Sequence, residues 1–518
     1  MNKKPLVLTL DFGTQSLRVS LTNEKGEIEN IEKFKYEPPY YSESYGYAEQ
    51  DPDYYWEAAK KAIKKLTAEA SDKLDRIVGA ALTTFRDTSV QLDHDLKPLR
   101  KSILWLDQRL AKGKEKLPLL HWFLFTIIGM KPTIVLNRAR TVAHWLKENE
   151  VDTWNKTYKY VNISTYLNYK MTGNLVDSCA SIAGHYPINF RARKWYKTSH
   201  LKARIFGIPE RMLAELHQPG EVLGTIKEDV AKELGLPLGI KLFATGSDKA
   251  CETVGLGALS NEVAAISYGT ASSISVSNQK YHEPEPFLPA YPAAVPNWYN
   301  MEVQIYRGYW MLTWFTKEFA NDLSKEAFKN KTVVEELLNT KLSSVPPGSN
   351  GLIVQPYWGP GLSRPLARGA VIGFSDIHTR EHLYRAIIEG IAYSLKEGLE
   401  SIERSQRKRV KEIRVSGGGS QSDDICQITA DIFGLPVSRV QTYETTSLGA
   451  SIAVLCATGY YKNVEDANRA MSHVSKTFYP NDIAKKEYDF LYKNIYLKMY
   501  PQLKGIYKDI NKFSKRGI

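Results

Sequence analysis

The sequence predicts an α/β protein built from two related domains. A chain of 518 residues is too long for one ordinary core. Its first eighty or so residues alternate as strand, strand, strand, helix and strand, the order of a mixed α/β layer. A Gly-Thr turn between two strands then occurs twice, at Gly13-Thr14 and, 256 positions later, at Gly269-Thr270.

The opening stretch "LVLTLDFGTQSLRVSLTN" places Leu6, Leu8 and Leu10 on one strand and Val19 and Leu21 on the next. After a turn at Asn23–Gly26, a third run continues from Ile31 to Tyr36. Asp51-Pro52 supplies an N-cap and a first-turn proline, and Trp56, Ala59, Ile63 and Leu66 follow at helical spacing. Ile77–Leu82 reads as a buried strand. The second copy, "AISYGTASSISVS", repeats the strand, turn and returning strand, with Ser267 where the first copy has Asp11. Glycines and small residues around 237–262 form a hinge, so the expected domains are residues 1–259 and 260–518.

Composition narrows the function classes. Hydrophobic residues at 43% and charged residues at 24% are those of a folded globular chain. The net charge of +12 comes from scattered basic residues, apart from short clusters at Arg404–Lys411 and Lys512–Arg516. It reads as a solvated surface that attracts small anions, without a nucleic-acid motif. The four cysteines lie far apart, which argues against structural zinc and a disulfide framework and fits a reducing cytoplasm. Asp11 interrupts the N-terminal apolar run too early for a signal peptide, and Trp122–Met130 is far short of a membrane span.

Asp11 is the puzzle in the opening stretch, because a carboxylate at the end of a core strand is costly to bury without a partner. A Gly-Thr turn presents successive backbone N–H groups and a hydroxyl, a nest for phosphate oxygens that glycine lets a ligand approach closely. Taken singly, each turn would read as a hairpin; two in matched positions point to a polyphosphate held between the domains. Asp11 is then expected to supply an oxygen ligand, through water, to a Mg²⁺ on those phosphates. Arg18 adds a cation near the same oxygens.

Three further stretches carry candidate chemistry. In "EIRVSGGGSQSDDICQITADIFGLPV" a strand, three glycines including Gly418-Gly419, and a cap at Ser422 lead into a helix, which suits the adenosine end of a nucleotide. In "FATGSDKACETVG", Asp248 follows a strand and a Gly-Ser loop. It can accept the proton of an attacking hydroxyl, or it can cap the helix, and spacing alone does not choose. In "LTTFRDTSVQLDHDLKPLRKSILWLDQR", Arg86 and Asp87 end a buried strand, where α/β proteins commonly place ligand contacts. Trp105, Asp107 and Arg109 offer a wall and more polar contacts. A local Arg–Asp pair and a core tryptophan are the competing reading.

With these segments in hand, the chain resembles the FGGY family of carbohydrate kinases, of the actin, hexokinase and heat-shock chaperone superfamily. The resemblance spans roughly residues 6–470 through "DFGTQSLR", "YAEQDPDYYW", "SILWLDQR", "GSDKA", "SYGTAS", "PYWGPGLSRPLARG", "GGGSQSD" and "TTSLGA", in order. It implies two ribonuclease-H-like (actin-like ATPase) domains with a nucleotide and substrate cleft between them. It also implies ATP and Mg²⁺ as cosubstrates, and phosphorylation of a sugar or polyol hydroxyl. By the same resemblance Asp248 is the catalytic base and Asp11 the acid near the metal. Gly13, Thr14, Arg18, Gly269 and Thr270 contact phosphate, Gly418, Gly419 and Ser422 the adenosine end, and Arg86, Asp87 and Trp105 the acceptor. Lys249 stands where many members have Gln, Ser273 where glycerol kinases have an aromatic, and Phe85 where Gln often precedes Arg86, which speaks against glycerol itself. A ketose such as xylulose or another polyol remains open.

The rival from another class is a nucleotide-dependent binding or chaperone-like protein of the same superfamily. Arg86, Asp87 and Trp105 weigh against it, since an ATP switch has no need of them. A cytoplasmic homodimer or homotetramer is the family's expectation for assembly, with no nucleic-acid or membrane partner. Residues 460–518 read only as surface helices.

Overall fold

The computed structural model describes residues 4–113, 117–286, 288–359, 361 and 364–514. Part of the "PYWGPGLSRPLARG" motif and the end of the basic C-terminal cluster lie outside the described residues.

Two sheets organise the chain. In the first, the strand order is Val222–Thr225, Lys241–Phe243, Ile77–Thr84, Leu6–Phe12, Ser16–Asn23, Ile28–Lys35. Leu6–Phe12 pairs antiparallel with Ser16–Asn23 and parallel with Ile77–Thr84. In the second, the order is Tyr291–Pro292, Tyr299–Ile305, Ser272–Asn278, Val263–Tyr268, Glu412–Gly417, Val437–Val440, Val474–Phe478. There Val263–Tyr268 pairs antiparallel with Ser272–Asn278 and parallel with Glu412–Gly417. The Gly-Thr repeat read from the sequence is thus the same three-strand unit in both sheets. All seven residues of Leu6–Phe12 are buried, as expected of a central strand covered on both faces.

The helix Pro52–Glu69 starts where the sequence places it. Asp51 caps it by accepting from the Asp53 N–H, and Tyr55, Ala59, Ile63 and Leu66 pack into the first core. Leu259 falls in the connection between the helix Asp248–Gly255 and the strand Val263–Tyr268.

Two helices join the halves. Asp248–Gly255 and Thr445–Ala457 cross so closely that a Cβ on Gly255 would lie 1.9 Å from the Thr445 carbonyl oxygen, and one on Gly449 1.8 Å from that of Cys251. Val454 and Leu448 share a buried cluster with Val7 and Ala81 of the first sheet. The Thr445–Ala457 helix, late in the chain, therefore packs against the N-terminal sheet.

The reading of residues 460–518 as surface helices needs correction. Val474–Phe478 is the edge strand of the second sheet, and Tyr488, Tyr492 and Tyr496 are buried around Tyr393. Among the described residues no helix is long and apolar enough to cross a membrane.

Candidate active site

The strand register explains how the acids converge. Asp11 lies opposite Arg18 across the first hairpin, and the Gly13 N–H closes the turn on the Ser16 carbonyl at 3.0 Å. Asp11 is 7% exposed. Burial, together with the negative charges of Asp248, Glu444 and Glu252, pushes its carboxyl up to about 7 against the opposing pull of Arg18. Asp11 and Asp248 are therefore electrostatic neighbours, and the acid near the end of its strand sits among other acids. Arg18 is engaged at 2.8 Å by Glu444, which also takes Lys33 at 2.6 Å; the Arg18 guanidinium lies 4.0 Å from Asp11.

Asp248 opens the helix Asp248–Gly255, but the cap is Ser247, which accepts from the Ala250 N–H. The capping alternative for Asp248 is thereby filled by its neighbour. Burial raises the Asp248 carboxyl, Lys249 and Arg86 pull it back down, and Glu252 raises it again, leaving it above the ordinary value. A carboxyl so poised is suited to take a proton from an alcohol.

The first Gly-Thr turn is braced by a tryptophan. Trp105 Nε1 donates to the Thr14 hydroxyl at 3.0 Å, so the tryptophan ties the turn in place. Asp107 and Arg109 bind each other at 2.8 Å, and Arg109 also reaches Glu49 and lies over Tyr47. They hold the loop around residues 46–49 rather than forming an open contact surface.

Arg86 and Asp87 also have protein partners. Arg86 forms a bidentate pair with Glu302 of the strand Tyr299–Ile305, at 2.6 and 3.1 Å, beneath Tyr291. Asp87 has φ 54°, a left-handed conformation that aspartate tolerates better than most residues, and it accepts from the His185 backbone N–H at 2.9 Å. It also pairs with His185 Nδ1 at 2.7 Å. Burial works against the Asp87 charge, yet His185 holds its carboxyl below the usual range. The local Arg–Asp pair suggested by sequence does not form; each residue bonds a partner far along the chain.

In the second domain, Gly269 and Thr270 form the turn between Val263–Tyr268 and Ser272–Asn278, and the Tyr309 and Trp310 N–H groups bond their carbonyls. The glycine run contributes less bare backbone than three glycines suggest. Gly417 has φ 81° and packs on Tyr268, and a Cβ on Gly419 would meet the Tyr309 ring at 2.3 Å. Gly418 alone faces open space. Ser422 caps the following helix by accepting from the Ile425 N–H.

Sequence reasoning missed Glu302, Glu252, Glu444 and His185. Glu302 carried a usable signal, since an acid inside the apolar run "NMEVQI" repeats the anomaly of Asp11.

Two lobes of the same build, each ending its central strand in a Gly-Thr turn and sharing carboxylates between them, define the architecture of a two-lobed phosphotransferase of the actin-like ATPase fold. The chain belongs to the FGGY family of carbohydrate kinases: the family's N-terminal domain matches residues 6–255 and its C-terminal domain residues 264–458. It is 29% identical to a xylulose kinase of Lactococcus lactis subsp. lactis (strain IL1403), covering 99% of each chain. It is 30% identical to a xylulose kinase of Staphylococcus epidermidis (strain ATCC 12228), covering 98% of this chain and 99% of that one. A solved structure of ligand-bound xylulose kinase from Lactobacillus acidophilus superposes with a TM-score of 0.82 at 22% identity, over 98% of this chain and all of that one.

Proposed function

We propose that the protein transfers the γ-phosphoryl group of ATP to a hydroxyl of a ketose of the xylulose type, with Asp248 as general base. The observation that carries this reading is the position of Asp248, whose partly buried, upward-shifted carboxyl is electrostatically coupled to Asp11 on the phosphate side and to Arg86 on the acceptor side. The acceptor O–H bond breaks as its proton passes to Asp248, the new O–P bond forms, and the bond from the γ-phosphorus to the β,γ-bridging oxygen breaks, leaving ADP. The Gly13-Thr14 and Gly269-Thr270 turns hold the phosphates by backbone N–H groups and hydroxyls, and Gly418 leaves room for the adenosine end.

The residues fit a Mg²⁺. Asp11 sits in a surplus of carboxylates that raises its own carboxyl to about 7, a surplus a divalent cation relieves. Among the described residues no group of three or more His, Cys, Asp or Glu is arranged to hold a metal alone, so Asp11 acts with phosphate and water oxygens. The ion, when bound, neutralises phosphate charge.

Arg86 and Glu302 hold each other across the two halves of the chain, and a ketose enters by replacing part of that pair with its own hydroxyls. A coupled ADP-release screen over C3 to C7 polyols, ketoses and aldoses tests the reading. The expected result is turnover highest with a ketopentose. ATP consumption that no sugar or polyol stimulates overturns it and favours a nucleotide-dependent binding protein.

A further inference from the structure

One half-buried cation in the centre has no role in the mechanism above. Lys249 follows the base directly, and its ammonium is fixed by two partners. Glu252 Oε2 accepts from it at 2.9 Å, and the Ser267 hydroxyl takes a second, short bond. An ammonium has three donors, and among the described residues these two bonds leave the third to spare.

The same ammonium stands over the second phosphate turn. A Cβ placed on Gly269 would lie 3.9 Å from Lys249 Nζ. Glycine at this position leaves the Lys249 charge facing the turn's backbone with no side chain between them.

Glu252 is the hub that keeps the lysine there. Besides Lys249 it accepts from the Ser267 hydroxyl at 2.9 Å and the Ser416 hydroxyl at 2.5 Å, both on its Oε1. Ser267 and Ser416 are register partners on neighbouring strands, each one or two residues before a glycine loop assigned to nucleotide in the proposed function. One carboxylate thus ties the helix of the base to the roots of both loops. Lys249, Glu252, Ser267, Ser273, Glu302 and Ser416 line a cavity of about 10 Å³, room for about one water beside the ammonium.

We infer that Lys249 is a catalytic residue of the phosphoryl transfer, its remaining N–H donated to an oxygen of the phosphoryl group as it passes from ADP to the acceptor. Burial opposes its charge, but Glu252 and Asp248 outweigh burial and keep the lysine protonated. A fixed donor aimed at charge that grows in the transition state lowers the barrier without tightening the ground state. The inference rests on the kinase reading with Asp248 as base.

The test compares wild type with Lys249→Gln, Lys249→Met, Lys249→Arg and Asp248→Asn in steady-state kinetics, ADP affinity by calorimetry, and thermal unfolding. Lys249→Gln and Lys249→Met are expected to lower kcat by about 10²–10³-fold with ADP affinity within threefold of wild type, since ADP lacks the group contacted. Lys249→Arg is expected to recover at least tenfold of that loss. A kcat within threefold of wild type in Lys249→Gln overturns the inference. So does a loss of ADP affinity as large as the loss of kcat, which marks a structural role. Should Lys249→Met fail to fold, the polar, uncharged Lys249→Gln and the charge-retaining Lys249→Arg decide the matter. Asp248→Asn separates the two readings: if it keeps turnover, the base assignment fails; if it abolishes turnover while Lys249→Gln does not, only the role of Lys249 fails.

Discussion

Arg86 and Glu302, 216 residues apart, bind each other through both terminal guanidinium nitrogens and both carboxylate oxygens. Arg86 lies two residues beyond the buried strand Ile77–Thr84 of the N-terminal sheet and Glu302 lies inside the strand Tyr299–Ile305 of the C-terminal one. The pair is a contact between the halves at the place where the acceptor is expected to bind. Removing one member leaves the other buried and unpaired, a loss of about 3–5 kcal/mol. In a double-mutant cycle of Arg86→Met and Glu302→Met, followed by denaturant unfolding, the double variant should therefore recover much of what either single variant loses. Additive losses would show that the two charges do not depend on each other. In the same Arg86 variant KM for the acceptor should rise far more than KM for ATP.

Asp11 gives a pH signature in stability. Its carboxyl lies at about 7 in the folded chain, against an ordinary value of 3.8. The folded state therefore binds this proton more tightly than the unfolded one. Stability is lost as pH rises from near 4, and the loss is complete above about 7, at most about 4 kcal/mol. Asp11→Asn removes the ionisation, so its Tm should exceed that of wild type at pH 8 and converge on it near pH 4. Mg²⁺ added with ADP should stabilise wild type more than this variant. A variant less stable than wild type at pH 8 would mean that the Asp11 charge is compensated in the free protein.

The crossing of Gly255 and Gly449 leaves no space for a methyl group on either helix, and the obstructing atoms are backbone. Gly449→Ala should therefore force the helices apart, costing about 1–3 kcal/mol or more. It should also lower kcat, because the Asp248–Gly255 helix carries the proposed base. Unchanged unfolding and turnover would mean that the two helices do not cross this closely.

Much of the fold was legible because its signals are local. Strand periodicity, Asp51-Pro52 at a helix start and the repeated Gly-Thr turn each sit within a few residues. Asp11 and Asp248 were legible as acids beside glycine turns. What was not legible depends on which surfaces meet: Glu302 receiving Arg86, Glu444 receiving Arg18, and Glu252 joining two strands to one helix. Asp87 and His185 follow from a left-handed backbone that no spacing announces. The C-terminal tyrosines were readable in principle. Tyr488, Tyr492 and Tyr496 recur every four residues, a buried stripe hidden among lysines and asparagines.

Phosphoryl transfer with Asp248→Asn is the most direct measurement of the proposed chemistry. The side chain keeps its size and loses its ability to take a proton, so ADP and ATP should bind within a fewfold of wild type while ketose phosphorylation falls by at least 10²-fold. Turnover equal to wild type, with nucleotide binding intact, would contradict a role for Asp248 as the base.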